Sequence, residues 1–302
     1  MPVPIAYLTV IIVWSTTPLT VVWSGESVSP IMAAFLRMAI AAVIGSLLLL
    51  LWRLPLRLDS KALKSYAFAV LGIYGAMVMT YLAASHVSSG LISLIFGMTP
   101  LVSGLMARFW LKEAGFSAVR WLALFLALTG LARVVGDHLM MQGDAATGIL
   151  LLLTAVILFS ASGVLVKGHR CNMHALPQTV GALWMSLPLY LITWYLLDGE
   201  LPSLDADTRS FWAILYLAVF GSLIGFVSYF HILQKLSPTT VALVTLITPV
   251  IAISLGNLLN DETVTTALVQ GALLICLGLG LYHWGDRIVF ALSPSAAIHR
   301  DK

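Results

Sequence analysis

Apolar residues fall into long runs along the chain, and short polar links separate these runs. A helix that crosses a membrane needs about 20 apolar residues, and windows of that length predict ten such helices. The predicted spans are 3–23, 29–52, 64–84, 88–111, 116–135, 147–167, 176–197, 210–233, 238–259 and 264–284. The pattern therefore predicts an all-α integral membrane protein with ten transmembrane helices.

The second half of the chain repeats a motif of the first half. Glu113 follows the dipeptide Thr99-Pro100, thirteen positions after the proline, and Glu262 follows Thr248-Pro249 at the same distance. Ten spans give five per copy, and because five is odd the second copy must enter the membrane upside down. Inverted repeats of this kind are typical of secondary transporters. We expect two inverted five-helix repeats and a cytoplasmic tail, in residues 1–136, 147–284 and 285–302.

Composition excludes a soluble fold. Hydrophobic residues make up 60% of the chain and charged residues 10%, with a mean hydropathy of +0.99, whereas a soluble domain is about 45–50% apolar and about 25% charged. The net charge of +3 does not indicate nucleic-acid binding, because the basic residues lie in the links between spans. Cys171 and Cys276 provide no disulfide framework.

The distribution of basic residues predicts the orientation in the membrane. Cytoplasmic links of membrane proteins carry an excess of Lys and Arg. With the N-terminus inside, the outer links hold only Arg133 and Arg209, and Arg37 lies within a span. The remaining basic residues then face the cytoplasm: Arg53, Arg57, Lys61, Lys64, Arg108, Lys112, Arg120, Lys167, Arg170, Lys235, Arg287, Arg300 and Lys302. We therefore expect both termini to be cytoplasmic.

Several of these residues occur together in a known family. They are Trp14-Ser15 in the first span, Pro30 and Phe35-x-Arg37 at the second, and the duplicated Thr-Pro pairs with their later glutamates. In this order the chain resembles the EamA-type ten-helix members of the drug/metabolite transporter superfamily over essentially its whole length. The resemblance implies a helical bundle with a central cavity, alternating access, and export of amino acids or other small metabolites.

Arg37 is the only Lys, Arg, Asp or Glu well inside a predicted span, about 12 Å from the outer end at helical rise. A charge at that depth is costly and is expected to face the bundle interior. Two roles are open. Arg37 is either a fixed cation that attracts a carboxylate on the pathway, or a structural arginine that hydrogen-bonds helix-end carbonyls or reaches back to the interface.

The other candidates for the pathway are aromatic or polar residues and prolines within the spans. They are Trp14, Ser15, Tyr74, Tyr81, Phe96, Pro100, Ser160, Trp184, His231 and Pro249. The two prolines interrupt helical hydrogen bonds at equivalent places, which favours a role in cavity shape or gating. Aromatic walls suit a small organic ligand, but aromatic side chains also pack in cores or form interfacial belts.

The polar candidates each have a plainer alternative. His231 is a proton relay or a hydrated interfacial histidine, and Ser15 and Ser160 bind a ligand or permit close helix packing. Trp184 stands where the repeat places the counterpart of Arg37. We therefore expect no symmetric pair of cationic sites.

These residues predict a secondary transporter of the inner membrane rather than an enzyme, since the spans contain no HExxH, P-loop or clustered metal ligands. The expected partners are a small-molecule substrate and the lipid bilayer, with no nucleic acid, no cofactor and no metal, in a monomer or homodimer. The predicted spans contain no carboxylate that could carry a proton. Facilitated diffusion down a gradient is therefore favoured at least as much as proton antiport. The alternatives are a lipid or lipid-linked sugar flippase, and a membrane scaffold that transports nothing.

Overall fold

The computed structural model describes residues 1–112, 117–141, 145–199, 201 and 208–292. All regular secondary structure in these residues is helical. The helices are α1 (Val3–Ser24), α2 (Pro30–Leu51), α3 (Ser60–Ala83), α4 (Ser89–Trp110), α5 (Ala118–Met141), α6 (Ala145–His169), α7 (Ala175–Leu197), α8 (Arg209–Lys235), α9 (Pro238–Ala242 and Val244–Asn260) and α10 (Thr266–Leu292).

Nine helices of the described chain are long and apolar enough to cross a membrane, and α9 is the exception. It is divided at Leu243, and its continuous apolar part, Ile247–Asn260, is shorter than a full span. The all-helical prediction is thus confirmed, with nine of the ten spans matched by length and composition. Helix α10 continues beyond the predicted end at residue 284, whereas Glu113 and residues 293–302 lie outside the described part of the chain.

Prolines and capping side chains mark where the helices begin. Pro30 and Pro238 occupy the first turn of α2 and α9, where a missing backbone N–H has no helical partner to lose. Asp59, Ser88 and Ser237 accept hydrogen bonds from the first backbone N–H groups of α3, α4 and α9. These residues fix the starts of α2, α3, α4 and α9.

Three helices depart from regular α geometry near their middles. Helix α3 contains π-helix at Leu71–Ala76, and α8 contains π-helix at Leu217–Ile224. Helix α4 is interrupted by a turn at Gly97 and Met98, just before Thr99-Pro100. Such local departures occur frequently at functional sites, and Ser222 in the π-helical part of α8 accepts a hydrogen bond from the buried Arg37.

Contacts between the two halves follow a reciprocal pattern. Helix α2 packs against α7, α4 against α9, and α5 against α10. Helix α1 contacts α8 and α9, while its counterpart α6 contacts α3 and α4. Every one of these pairings maps onto itself or onto another when the first five helices are exchanged for the last five.

The helix ends form two faces of the bundle. The lysine face contains the α2–α3 link and the ends of α6 and α8. There Arg57 Nη1 donates to the Asn172 carbonyl over 3.0 Å, and Lys167 Nζ donates to the Gln234 carbonyl over 2.9 Å. The Glu262 face contains the ends of α1 and α9 and the starts of α4 and α8, where Glu262 meets the first residues of α4.

Candidate functional site

A central cavity lies between α1, α2, α3, α4, α6, α8 and α9. Its volume is about 70 Å³, counted as the space open to the centres of water molecules. One water needs about 10–15 Å³ on this measure, so the cavity accommodates several waters or one small solute. It is lined by Trp14, Thr17, Pro18, Val21, Arg37, Met77, Thr80, Ile92, Ser93, Phe96, Phe159, Gly221, Phe226, Thr245 and Thr248.

Arg37 is the only charged side chain among these described lining residues. It is 1% exposed, and its Nε donates to Ser222 Oγ over 2.9 Å while Nη1 donates to the Tyr81 hydroxyl over 3.2 Å. Its guanidinium also lies 5.8 Å from the centre of the Tyr81 ring. Arg37 therefore joins α2 to α3 and to the π-helical part of α8, and it contributes positive charge to the cavity.

Hydroxyl groups supply the other polar surface of the cavity. Thr17 and Thr80 donate to carbonyls of their own helices, and their oxygens retain acceptor capacity. Ser93, Thr245 and Thr248 lie on α4 and α9 and are almost fully buried. These groups can donate or accept hydrogen bonds, but none of them offsets the charge of Arg37.

An aromatic layer closes one side of the cavity. It consists of Trp14, Phe159 and Tyr229, whose ring centres lie 5.2–5.5 Å apart in all three pairs. Phe226, one turn before Tyr229, lines the cavity, whereas Phe230 lines a second space on the other side. The aromatic layer thus separates the central cavity from the lysine face.

The second space is a vestibule at the lysine face, between the ends of α4, α6 and α8 and the starts of α3 and α7. Its volume is about 1090 Å³ on the same measure. Its charged lining residues in the described chain are Lys167, Arg170 and Lys235, and no carboxylate is among them. The vestibule is therefore wide, wet and positively charged.

The Glu262 face is closed by a network of hydrogen bonds. Glu262 accepts from the Ser89 and Gly90 backbone N–H groups over 3.1 and 3.2 Å, and from Ser89 Oγ over 2.9 Å. Asn260 Nδ2 also donates to Glu262 over 3.1 Å, and its side-chain oxygen accepts from Trp23 Nε1 over 2.9 Å. These bonds bind the end of α9 to the N-terminus of α4 and to the end of α1, where a carboxylate also interacts favourably with the helix dipole.

The structure brings several predicted pathway residues together. Trp14, Arg37 and Phe96 line the central cavity, and Tyr81 contacts Arg37 from α3. Ser15 and Ser160 are buried beside the cavity; Ser15 Oγ donates to the Ile11 carbonyl over 2.7 Å, and Ser160 Oγ lies 3.5 Å from the carbonyl of Thr99.

Other predicted pathway residues lie elsewhere. Trp184 is 46% exposed on the outer surface of α7, where its Nε1 donates to Ser46 Oγ. The Tyr74 hydroxyl shares a hydrogen bond of 2.6 Å with Thr193 on α7. His231 lies near the lysine-face end of α8, and its Nε2 has no hydrogen-bond partner among the described residues. None of these three lines the central cavity.

The two prolines are both buried and differ in their local geometry. Pro100 occupies the first turn of the second part of α4, after the turn at Gly97 and Met98, so the helix restarts there. Pro249 lies within the continuous part of α9. In each Thr-Pro pair the threonine is also buried, and Thr248 lines the cavity.

Sequence reasoning missed most of the hydroxyl lining. Thr245 and Thr248 are three positions apart on α9 and therefore share a helix face. This spacing was the one sequence signal that could have indicated a polar lining on α9. Phe159 was not among the predicted pathway residues, and its ring meets that of Trp14 in the aromatic layer. In the described part of the chain, no group of three or more His, Cys, Asp or Glu side chains is arranged to hold a metal ion.

One titratable pair outside the spans has shifted pKa values. Arg57 Nε donates to Asp59 Oδ2 over 2.8 Å at the lysine face. This hydrogen bond is the main cause that lowers the pKa of Asp59 and raises the pKa of Arg57. Both side chains are solvent-exposed, so the pair holds the link between α2 and α3 without contributing to the cavity.

Comparison with known proteins gives one family and several relatives. The model of the EamA-like transporter family matches the chain twice, over residues 2–136 and over residues 146–283. The uncharacterized transporter YoaV of Bacillus subtilis is 24% identical, with 92% of this chain and 95% of the relative covered. The uncharacterized inner membrane transporter YedA of Escherichia coli K12 is 25% identical, with 90% and 89% covered.

Two further similarities extend over nearly the whole chain. Protein PagO of Salmonella typhimurium is 25% identical, with 93% of this chain and 91% of the relative covered. A solved crystal structure covers 93% of this chain and 96% of its own, with a TM-score of 0.70 at 16% identity. At that identity the likeness concerns the fold alone. Together with the apolar helices, the family match identifies a multi-pass membrane protein.

Proposed function

The chain belongs to the EamA-like transporter family, and from this premise we propose that it is a secondary transporter of the inner membrane which moves small organic metabolites by alternating access. Export of amino acids is the first case to test. The observation that carries the proposal is the central cavity, which lies between the hydrogen-bonded Glu262 face and the aromatic layer on the side of the vestibule.

Alternating access requires a site that both halves of the molecule share. The cavity is lined by α1, α2, α3 and α4 from the first half and by α6, α8 and α9 from the second. Motion of one half against the other would open the Glu262 face as the lysine face closes. A scaffold would need no such cavity, and a volume of about 70 Å³ favours a small solute over a lipid-linked sugar.

We propose that the chain contains two inverted five-helix repeats, 1–136 and 147–284, with α9 as the tenth span. The reciprocal helix contacts support this arrangement, as does the double match of the family model. Trp14-Ser15 of the first half resembles Phe159-Ser160 of the second, and the contact of the Trp14 and Phe159 rings at the cavity gives further support. In such a bundle the interrupted backbone of α9 would lie within protein. Unpaired backbone groups are tolerated there but not in contact with lipid.

The proposed orientation places the lysine face and both termini in the cytoplasm. The positive-inside bias supports it. In this orientation the vestibule opens to the cytoplasm, so the described conformation would take up solute from inside. Labelling with a membrane-impermeant maleimide tests the assignment: in intact cells Ser85→Cys, exposed beyond the end of α3, should react from outside, and Cys171 should not. Reaction of Cys171 alone would overturn the orientation.

Transport itself is tested in proteoliposomes loaded with a panel of metabolites, with counterflow of the labelled compound as the readout. We expect saturable exchange of at least one small metabolite, with liposomes that lack the protein as the control. Absence of exchange for every member of a broad panel, with correctly folded protein, would contradict the proposed function.

A further inference from the structure

We propose that the transported solute is a small organic monoanion, held by a carboxylate against Arg37. This inference rests on the proposed function and narrows its substrate class. It follows from the charge of the two spaces on the lysine-face side of the Glu262 network: the described lining of the vestibule and of the central cavity contains four Lys or Arg side chains and no Asp or Glu.

Arg37 is buried with no counter-ion among the residues that the structure describes. No described carboxylate lies within 4.0 Å of its guanidinium, since the ion pairs of the described chain involve Arg57, Arg120 and Arg209. An uncompensated charge in the interior is costly. Tyr81 and Ser222 offset part of this cost as neutral acceptors, and an anion from solution would offset the rest.

The geometry leaves donors available on the cavity side. A guanidinium has five N–H groups, and the described hydrogen bonds to Ser222 and Tyr81 use two of them. Nη2 lies beside Gly221, where a Cβ atom would be only 3.1 Å from it, and both residues line the cavity. The absence of a side chain at 221 keeps that edge of the guanidinium open. A carboxylate is the group that this planar edge binds with two parallel hydrogen bonds.

Because Arg37 is the one charged side chain in the described lining of the cavity, a solute with a single negative charge compensates it. The hydroxyls of Ser93, Thr245 and Thr248 can hydrogen-bond a hydroxyl or keto group on the rest of the solute. An ammonium group would find no carboxylate partner in the cavity lining and would be repelled by Arg37. Cationic solutes are therefore disfavoured, and a zwitterion gains less than a simple carboxylate of the same size.

The vestibule provides an independent argument for the same charge. Lys167, Arg170 and Lys235 line it, and a concave surface of one sign raises the local concentration of oppositely charged solutes and their rate of entry. Such attraction weakens as salt screens the charges. Entry through this vestibule should therefore favour anions and become slower at high ionic strength.

The test compares charge forms of the same carbon skeleton in proteoliposomes. For each of several short skeletons, the carboxylate, its amide and its amine are assayed by counterflow; lactate, lactamide and 1-amino-2-propanol form one such set. For whichever skeleton is carried, we expect the carboxylate to exchange about tenfold faster than its neutral and cationic forms, as for one hydrogen-bonded charge. Preferred exchange of an amide, an amine or a zwitterionic amino acid would overturn the inference while leaving the proposed function intact. Exchange of no form of any skeleton would contradict both.

Variants of Arg37 test whether this residue binds the carboxylate. Arg37→Gln should reduce carboxylate exchange about tenfold, and Arg37→Lys should retain part of it, because lysine keeps the charge but lacks the planar fork. Arg133→Gln is the matched control, since Arg133 is exposed on α5 and hydrogen-bonds Gln270 of α10. Unchanged exchange of the carboxylate by folded Arg37→Gln would overturn the assignment.

A second variant keeps the test decisive if Arg37→Gln does not fold. Gly221→Ala retains the arginine and covers its open edge, so it should raise the KM for the carboxylate while its amount in the membrane stays at the wild-type level. Arg170→Gln combined with Lys235→Gln should lower the entry rate at low salt and weaken its dependence on ionic strength, since Lys167 remains in the vestibule. Wild-type values for both variants would overturn the proposal.

Discussion

The two faces of the bundle differ in how their helix ends are joined. At the Glu262 face one carboxylate accepts hydrogen bonds from two backbone N–H groups of α4, and the ends of α1 and α9 are linked through Asn260. At the lysine face the helix ends stand apart around a vestibule of about 1090 Å³, and the hydrogen bonds run along its rim. One face is thus closed by polar contacts between helix ends, and the other is open to water.

Under the proposed alternating access, the difference indicates which contacts would break during transport. Closure at the Glu262 face depends on a small number of hydrogen bonds at helix ends, each of modest net strength in water. The aromatic layer, in contrast, depends on the packing of three rings across the bundle. We therefore expect that removal of one charge opens the Glu262 face. The aromatic layer should open when a substitution forces one of its rings to move.

The largest effect is expected for Glu262→Gln. The amide keeps the size of the side chain but removes the charge that interacts with the α4 N-terminus and leaves fewer acceptor sites for the N–H groups of Ser89 and Gly90. With Ser93→Cys as a reporter in the cavity and the native cysteines replaced, maleimide labelling from the Glu262 face should increase about tenfold.

Glu26→Gln is the matched control for this change. Glu26 lies at the same face but forms an exposed ion pair with Arg209, with Nε to Oε2 at 3.0 Å. Exposed pairs contribute about 0–1 kcal/mol, so labelling of the reporter should change little. Equal labelling of the two variants would mean that Glu262 does not hold this face closed.

An intermediate effect is expected for Gly163→Ala in α6. A Cβ atom at this position would lie 2.5 Å from the Tyr229 hydroxyl, so the Tyr229 ring would have to move out of the aromatic layer. Overpacking of this kind costs about 1–3 kcal/mol. The thermal unfolding temperature should fall, and the Ser93→Cys reporter should become easier to label from the lysine face. Gly136→Ala, where a Cβ atom meets nothing within 4 Å, should leave the labelling unchanged and should not lower the unfolding temperature, because alanine is the better helix former.

The smallest effect is expected for Asp59→Asn at the lysine face. Asparagine still caps α3 but loses the ion pair with Arg57. Because the pKa of Asp59 is lower in the folded protein, the pair stabilises above the unfolded pKa of a carboxyl, and this contribution disappears as the pH falls through the folded pKa. The unfolding temperatures of wild type and variant should therefore differ slightly at neutral pH and converge in acid. A difference that grows in acid would contradict this assignment.

Much of the helical architecture could be predicted from sequence because spans depend on average hydropathy, which the chain displays directly. The interruption of α9 could not, since Leu243 is as apolar as its neighbours and leaves no trace in a hydropathy window. The Thr-Pro motif indicated only that the fourth and ninth spans share some irregularity.

The site was predictable where a residue type is rare in a membrane. Arg37 and Trp14 stand out in an apolar span, and both line the cavity. Thr80 and Thr245 do not stand out, because hydroxyls occur on every face of such helices and their role depends on how each helix is rotated. Trp184 illustrates the same limit: the proposed repeat matches its position to that of Arg37, but its side chain is 46% exposed on the outer surface of α7.

The π-helical stretch of α8 has a consequence for the rotational phase of that helix. A π turn contains one residue more than an α turn, and one residue corresponds to about 100° of rotation in an α-helix. Deleting one residue within Leu217–Ile224 would restore ordinary hydrogen bonding but turn the rest of α8 away from its partners. We expect the deletion to separate Ser222 from Arg37 and Tyr229 from Trp14, two pairs that are in contact in the intact helix. The π-helical turn therefore sets the rotation at which α8 contacts both Arg37 and the aromatic layer.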